Sequence, residues 1–310
     1  MNSPETPKSA HSAGNQNTAK GMAYISVTAL TGAFANAIIR HLSFSMHPFE
    51  IVFFRSFFGV VVFLPLLLKQ SFRPLKANRP WLLCFRGFLQ VIQLTFVVLS
   101  IKLTPLAKVA ALRFTGPLFA TVLTLIFLGE RFRIRRAVAL AIGFLGALVV
   151  LRPGLIETDL GAIFALSAAA TWACVQMTVK VLGRTESSVT ITIYSTLFAT
   201  PCALLIAYPY LTMPTLQEFG WVALVGALGS VAHICRAQAF KEADLTAVMP
   251  MEFSKLIWVS ILGFAFFGEV PEIWTWLGGF MIFSGSGYIA LRERQLKRRD
   301  KGPPMPIAPE

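Results

Sequence analysis

The chain has 310 residues, 55% of them apolar and only 14% charged, with a mean hydropathy of +0.65. Soluble chains carry about 25% charged residues, so this one is too poor in charge to coat two soluble domains and too apolar to stay disordered. Its formal charge of +13 falls in short segments between apolar runs and in the last tail, which suits membrane orientation rather than phosphate tracking along nucleic acid.

Residues 1–20 contain no apolar stretch and predict a disordered cytoplasmic tail rather than a signal peptide. Apolar runs follow at 21–39, 49–68, 80–101, 105–128, 134–151, 159–181, 188–208, 217–240, 245–267 and 273–291. Each is close to the length that crosses a hydrocarbon core as a helix. A backbone with no water to bond must satisfy its own polar groups, so an all-α integral membrane protein with ten transmembrane helices is expected. Residues 292–310 form a basic tail. Cys84, Cys174, Cys202 and Cys235 all lie inside apolar runs without metal-ligand spacing, and read as small hydrophobic residues.

With the N-terminus placed in the cytoplasm, nineteen Lys and Arg fall on that side, and four (Arg40, Lys102, Lys108 and Arg152) fall outside. The bias puts both ends in the cytoplasm, which requires an even number of spans.

The chain also repeats itself. A shift of 139 residues lays Lys102–Glu130 on Lys241–Glu269 without a gap, so that Phe114 meets Phe253 and Gly129-Glu130 meets Gly268-Glu269. A shift of 140 lays the first span on the sixth, with Ala33 on Ala173, Asn36 on Gln176 and Arg40 on Lys180. The halves are 21–154 and 159–291, five spans each. Because five is odd, the second copy must enter the membrane upside down. Inverted repeats meeting around a midplane site are an architecture of secondary transporters.

Ionisable groups inside spans are costly and point to function by default. They are Arg55, Arg86, Arg113, Arg236, Lys255 and Glu252, with His233 on the eighth span. Helical spacing sorts them into stripes: Arg86, Gln90 and Gln93 on the third span; Arg113, Pro117, Thr121 and Thr124 on the fourth; Gly229, His233 and Arg236 on the eighth; Glu252 and Lys255 three apart on the ninth. The expectation is a cavity lined by these spans, joined by Asn36, Trp172 and Gln176 from the first and sixth. Polar glue between helices is the alternative. The 139-residue shift lays Arg113 on Glu252, which suggests an ion pair across the pseudo-twofold axis, either static or opened by a coupled proton. Trp81, Trp221, Trp274, Trp276 and Tyr210 lie near span ends and are expected to form interfacial belts.

The stretch Thr115-Gly-Pro-Leu-Phe-Ala-Thr-Val-Leu-Thr-Leu-Ile-Phe-Leu-Gly-Glu130, followed by Gly143, Gly146 and Arg152-Pro153-Gly154, resembles the fourth-helix signature of EamA-type carriers of the drug/metabolite transporter superfamily. Phe53-Phe54-Arg55 is similar to the family's second span, and Ala170-Thr171-Trp172-Ala173 with Lys180 to the start of its second repeat. Gly32 stands where Trp172 would map, and Tyr194 near where Arg55 would, so the repeats depart from equivalence. The resemblance implies a carrier of a small metabolite in the cell inner membrane, without cofactor or metal. It is similar to the riboflavin-carrying branch, with S-adenosylmethionine uptake or amino-acid export as the alternative. An intramembrane enzyme is disfavoured, since neither H-E-x-x-H nor Gly-x-Ser-x-Gly occurs and no G-x-x-x-x-G-K-[ST] is present to bind ATP. A homodimer is left open.

Overall fold

The computed structural model describes residues 18–69, 77–127, 134–152, 159–183, 185–186, 188–242 and 245–300. The expectations for residues 1–17 and 301–310, for Gly129-Glu130 and for Pro153-Gly154 lie outside these. The first repeat comprises α1 (Thr18–Leu42), α2 (Pro48–Lys69), α3 (Pro80–Leu103), α4 (Leu106–Arg113), α5 (Gly116–Phe127) and α6 (Ile134–Leu151). The second comprises α7 (Leu160–Leu182), α8 (Ser188–Ala207), α9 (Leu216–Glu242), α10 (Leu245–Phe267) and α11 (Ile273–Asp300). Among the described residues, ten spans are therefore built from eleven α-helices, because the fourth breaks at Phe114-Thr115.

Pro117 explains the break. It has no N–H to give the Arg113 carbonyl, and its ring crowds that carbonyl. The chain tightens instead, with Phe114 N–H donating to Ala111 O at 3.1 Å and Thr115 N–H to Leu112 O at 3.0 Å. The matching ninth span carries Leu256 at that place, and α10 runs through unbroken.

Six stretches among the described residues are long and apolar enough to cross a bilayer: Lys20–Leu42, Pro80–Leu103, Leu106–Phe127, Leu160–Val179, Thr190–Tyr210 and Leu216–Arg236. α6 adds the shorter Ala137–Leu151. The outer surface is rich in large apolar side chains such as Phe127, Leu205, Phe264 and Phe280, as a lipid-facing wall requires. Trp81 is 84% exposed, and Trp221, Trp274 and Tyr210 are also exposed. Trp276 departs from the belt expectation: it packs against the main core cluster, because it faces inward on α11.

The packing has a two-fold pattern. α1 on α9 is answered by α3 on α7; α1 on α10 by α4 and α5 on α7; α2 on α9 by α3 on α8. The pairs α2·α8, α4·α10 and α6·α11 join each helix to its own counterpart across the axis. Direction follows from individual contacts. Thr28 Oγ1 donates to Ala232 O at 3.3 Å, while His41, farther along α1, meets Trp221, earlier on α9, with ring centroids 6.2 Å apart. α9 therefore runs against α1. Alternate spans α1 and α3 run the same way, so the third helix of the second repeat opposes its counterpart. α6 and α11 show the same reversal directly: Gly146 lies beside Gly278, and Gly285 beside Ala139 and Gly143. A Cβ on Gly146 would come within 2.8 Å of the Gly278 carbonyl oxygen. Small residues let the two backbones approach this closely.

Hydrogen bonds tie the loops into two separate faces. On one, Thr104 Oγ1 donates to Asp159 at 2.6 Å, Lys108 pairs with Asp159 at 3.1 Å, and Thr212 N–H donates to Glu50 at 2.6 Å. Arg40 pairs there with Glu269 at 3.2 Å, and Glu269 accepts the Leu106 N–H at 2.7 Å. The Gly268-Glu269 turn, with Gly268 at φ +67°, thus caps the first helical turn of α4 from the other repeat. On the opposite face, the backbone N–H groups of Asn78 and Arg79 donate to Glu186 at 2.6 and 2.9 Å.

Asp159 is also the N-cap of α7, accepting the Ala162 N–H. Burial pushes its carboxyl up, but hydrogen bonds from Thr104, Lys108 and Ala162 outweigh this and hold it below its ordinary value of 3.8. A depressed carboxyl stabilises the fold above its ordinary pKa and loses that contribution as pH falls through the folded value. Asp159→Ala is expected to lower stability by about 1–2 kcal/mol at neutral pH through the lost cap. Thermal unfolding in detergent should show the difference at pH 7 and show it shrinking below about pH 4.

Candidate functional site

The interior charges converge where α2, α4, α9 and α10 meet. Arg55 on α2 reaches α9, with Nη2 3.9 Å from the position a Cβ would take on Gly229. Arg113, the last residue of α4, lies within charge range of Arg55 and Arg236. Lys255 on α10 lies within charge range of Arg113, Arg236 and Arg55, with Glu252 as the offsetting charge. Phe114 and Phe253, successors of Arg113 and Glu252, stack at 5.9 Å across the axis and hold α4 against α10.

Glu252 does not take the partner its mapping onto Arg113 suggested. It pairs with Arg236 on α9, at 3.1 Å between Nη2 and Oε1. Residues that superpose under a two-fold need not touch, and α9 supplies the nearer guanidinium. Arg236 and Glu252 are 39% and 30% exposed, so the pair borders open space rather than sealed core. Among the described residues, Arg55, Arg113 and Lys255 have neither a hydrogen-bond nor an ion-pair partner.

Two glycines decide what flanks this cluster. Lys255 Nζ rests 3.3 Å from where a Cβ would sit on Gly32 of α1. The ring of Trp172 on α7 rests 2.8 Å from where a Cβ would sit on Gly116 of α5. The repeat shifts lay Gly32 on Trp172 and Gly116 on Lys255. The two crossings are therefore equivalent, with large and small residues exchanged: an aromatic ring from the first-type helix fills one, and a lysine from the fourth-type helix fills the other. The departure at Gly32 was visible in the sequence, but its steric complement at Gly116 was not.

Arg86 and Gln90 are engaged elsewhere, toward α8. Arg86 donates to Ser195 Oγ, to the Ile191 carbonyl at 3.4 Å and to Gln90 Oε1 at 3.4 Å, so Arg86 ties α3 to α8 while Gln90 holds it from the same helix. Ser195, which receives this contact, was not singled out by sequence; its only sign was a hydroxyl in an apolar run. Gln93 is half-buried and Gln176 exposed. Asn36 is buried on α1. The His233 side chain and that of Thr124 lie outside the described residues. An apolar hollow of about 570 Å³ lined by Phe54, Leu211, Thr212, Met213, Pro214, Leu216 and Phe219 sits at the α8–α9 loop; it holds no charged group, and the cluster is the chemically distinctive site. Among the described residues, no three His, Cys, Asp or Glu converge to hold a metal.

The arrangement can bind and hold electronegative groups. Glu252→Gln leaves Arg236 as a fourth unpaired cation, whereas Glu252→Gln with Arg236→Gln removes both charges. Unfolding of the two single variants and the double variant should give a coupling energy of about 1–2 kcal/mol; additivity would show that the pair does not form.

Comparison with known proteins adds kinship to this geometry. Residues 19–152 and 159–291 each match the model of the EamA-like transporter family. An S-adenosylmethionine uptake transporter of Rickettsia bellii is 26% identical over 89% of this chain and 94% of its own. A riboflavin transporter of Vibrio cholerae is 30% identical over 91% of this chain and 96% of its own. The pseudopaline exporter CntI of Pseudomonas aeruginosa is 27% identical over 83% and 90%. A solved crystal structure, 17% identical, aligns with 90% of this chain and 98% of its own at a TM-score of 0.60, a likeness of fold.

Proposed function

The chain belongs to the EamA-like transporter family, and we propose that it carries a flat, acceptor-rich metabolite across the cell inner membrane by alternating access, with riboflavin uptake as the first reading. Both termini face the cytoplasm in this reading, as the Lys and Arg bias demands. The two repeats rock about the crossing of α4 and α10, exposing the site to each side in turn.

The observation that carries the reading is the gathering of four cations at that crossing, one of them paired with Glu252, with Trp172 at the two-fold-related position. Riboflavin is uncharged at neutral pH. Its ring presents carbonyl oxygens and ring nitrogens that accept hydrogen bonds from guanidinium and ammonium groups, and its flat face suits an indole. The Vibrio cholerae relative, named a riboflavin transporter, supports the choice.

S-adenosylmethionine is the second reading, favoured by the Rickettsia relatives. Its carboxylate would suit the arginines. Its permanent sulfonium would enter a site whose one carboxylate, Glu252, is already held by Arg236. That charge balance supports riboflavin as the first reading.

Counterflow in proteoliposomes tests both. With unlabelled riboflavin inside, labelled riboflavin is expected to accumulate transiently above equilibrium, and Arg113→Gln should cut the initial rate at least tenfold. Overshoot with S-adenosylmethionine instead would move the second reading to first place. Overshoot with neither would end the flat-metabolite reading.

A further inference from the structure

Removing an ion from water is costly unless a counter-charge takes the place of the lost hydration. Arg236 has that counter-charge in Glu252, at 3.1 Å. Arg55, Arg113 and Lys255 come from three different helices and repel one another. Among the described residues, none of the three has a hydrogen-bond or ion-pair partner. The local fold makes room for this congregation rather than avoiding it. Gly32 is bare where Lys255 reaches α1, and Gly229 is bare where Arg55 reaches α9. At the crossing related by the two-fold, the same volume is filled by Trp172 against Gly116, so the lysine is not a packing necessity of the position.

We propose that Arg55, Arg113 and Lys255 form a subsite for one compact monovalent anion, either chloride or a carboxylate group, bound between α2, α4 and α10 during transport. This rests on the reading of the cluster as the transport site, and adds that the site takes a negative charge with its cargo. Two guanidinium forks and one ammonium supply donors from several directions, and the stacked rings of Phe114 and Phe253, the residues next to Arg113 and Glu252, hold α4 against α10 there. An uncharged flavin brings no anion of its own, so with that cargo the subsite is filled by a separate chloride ion. With a carboxylated cargo, the cargo's own group fills it.

The binding test uses the purified full chain in detergent without any organic cargo. Thermal unfolding is followed as chloride or acetate replaces gluconate at constant ionic strength. A saturable rise in Tm with chloride or acetate is expected for the unaltered chain. The apparent Kd should weaken at least tenfold in Lys255→Gln and in Arg113→Gln, be retained in Lys255→Arg, and be unchanged in Lys102→Gln, whose side chain is exposed at the end of α3. No saturable rise in the unaltered chain, or an equal rise in Lys255→Gln, overturns the proposal. Lys255→Arg keeps the test decisive should the glutamine variant fail to fold, since loss of binding there with the fold intact also contradicts it.

Proteoliposomes then distinguish the sources. If chloride is the partner, replacing it by gluconate on both sides slows labelled riboflavin entry at least tenfold. If the cargo brings the anion, a carboxylated cargo abolishes the chloride-dependent rise in Tm and moves at a rate independent of chloride. Failure of riboflavin to move while the binding titration succeeds removes the riboflavin reading and leaves the anion subsite standing.

Discussion

Inside a bilayer no water is at hand to complete an unmade hydrogen bond or to solvate a charge, and every polar group must find its partner within the protein. That constraint makes all the spans helices. It also makes the few interior charges informative. Arg86 answers it by bridging α3 to Ser195 and Ile191 on α8, and Arg236 by pairing with Glu252. Among the described residues the Arg55 and Arg113 side chains have no such answer, and Lys255 has only the offsetting charge of Glu252, which is already paired with Arg236. Among the described residues these three cations, from three helices, stand within charge range of one another where the two repeats cross.

The two-fold packing decides where that place lies. Each repeat lends its first helix to the third and fourth helices of the other, so neither half has a complete core alone. The axis passes through the α2·α8, α4·α10 and α6·α11 contacts, and the charges gather beside the second of these. Symmetry is broken at the same spot. Pro117 interrupts the fourth span while α10 continues, and Trp172 and Lys255 occupy the two equivalent crossings with opposite chemistry. A symmetric scaffold thus has an asymmetric centre, with an indole ring at one crossing and a lysine at the other.

Much of this was legible in the chain itself. The ten apolar runs, the odd number of spans per repeat and the in-span Arg and Lys residues follow from residue type and spacing alone. Local chemistry was partly legible: the repeat shift marked Gly268-Glu269 as the counterpart of Gly129-Glu130, but not that Glu269 would accept the Leu106 N–H at the start of α4. What escaped was the choice among helices. The repeat shift aligned Glu252 with Arg113, but alignment under a two-fold states equivalence of depth, not contact, and the carboxylate went to α9. Arg86, Gln90 and Gln93 share a stripe, yet nothing in the third span says that α8 lies against it. Trp276 looked interfacial from its place near a span end, but rotation about the α11 axis turned it to the core. Each of these depends on distances between segments far apart in sequence.

The inversion of the second repeat supports all the rest, and two loops test it most directly. Asn78 lies in the α2–α3 loop and Met213 in its counterpart, the α8–α9 loop. With the four native cysteines replaced, Asn78→Cys and Met213→Cys can each be labelled in intact cells and in inverted vesicles by a thiol reagent that does not cross membranes. With an inverted second repeat, Met213→Cys reacts only in cells and Asn78→Cys only in inverted vesicles. Labelling of both from the same side would mean that the repeats are parallel, and the shared central site would go with the inversion.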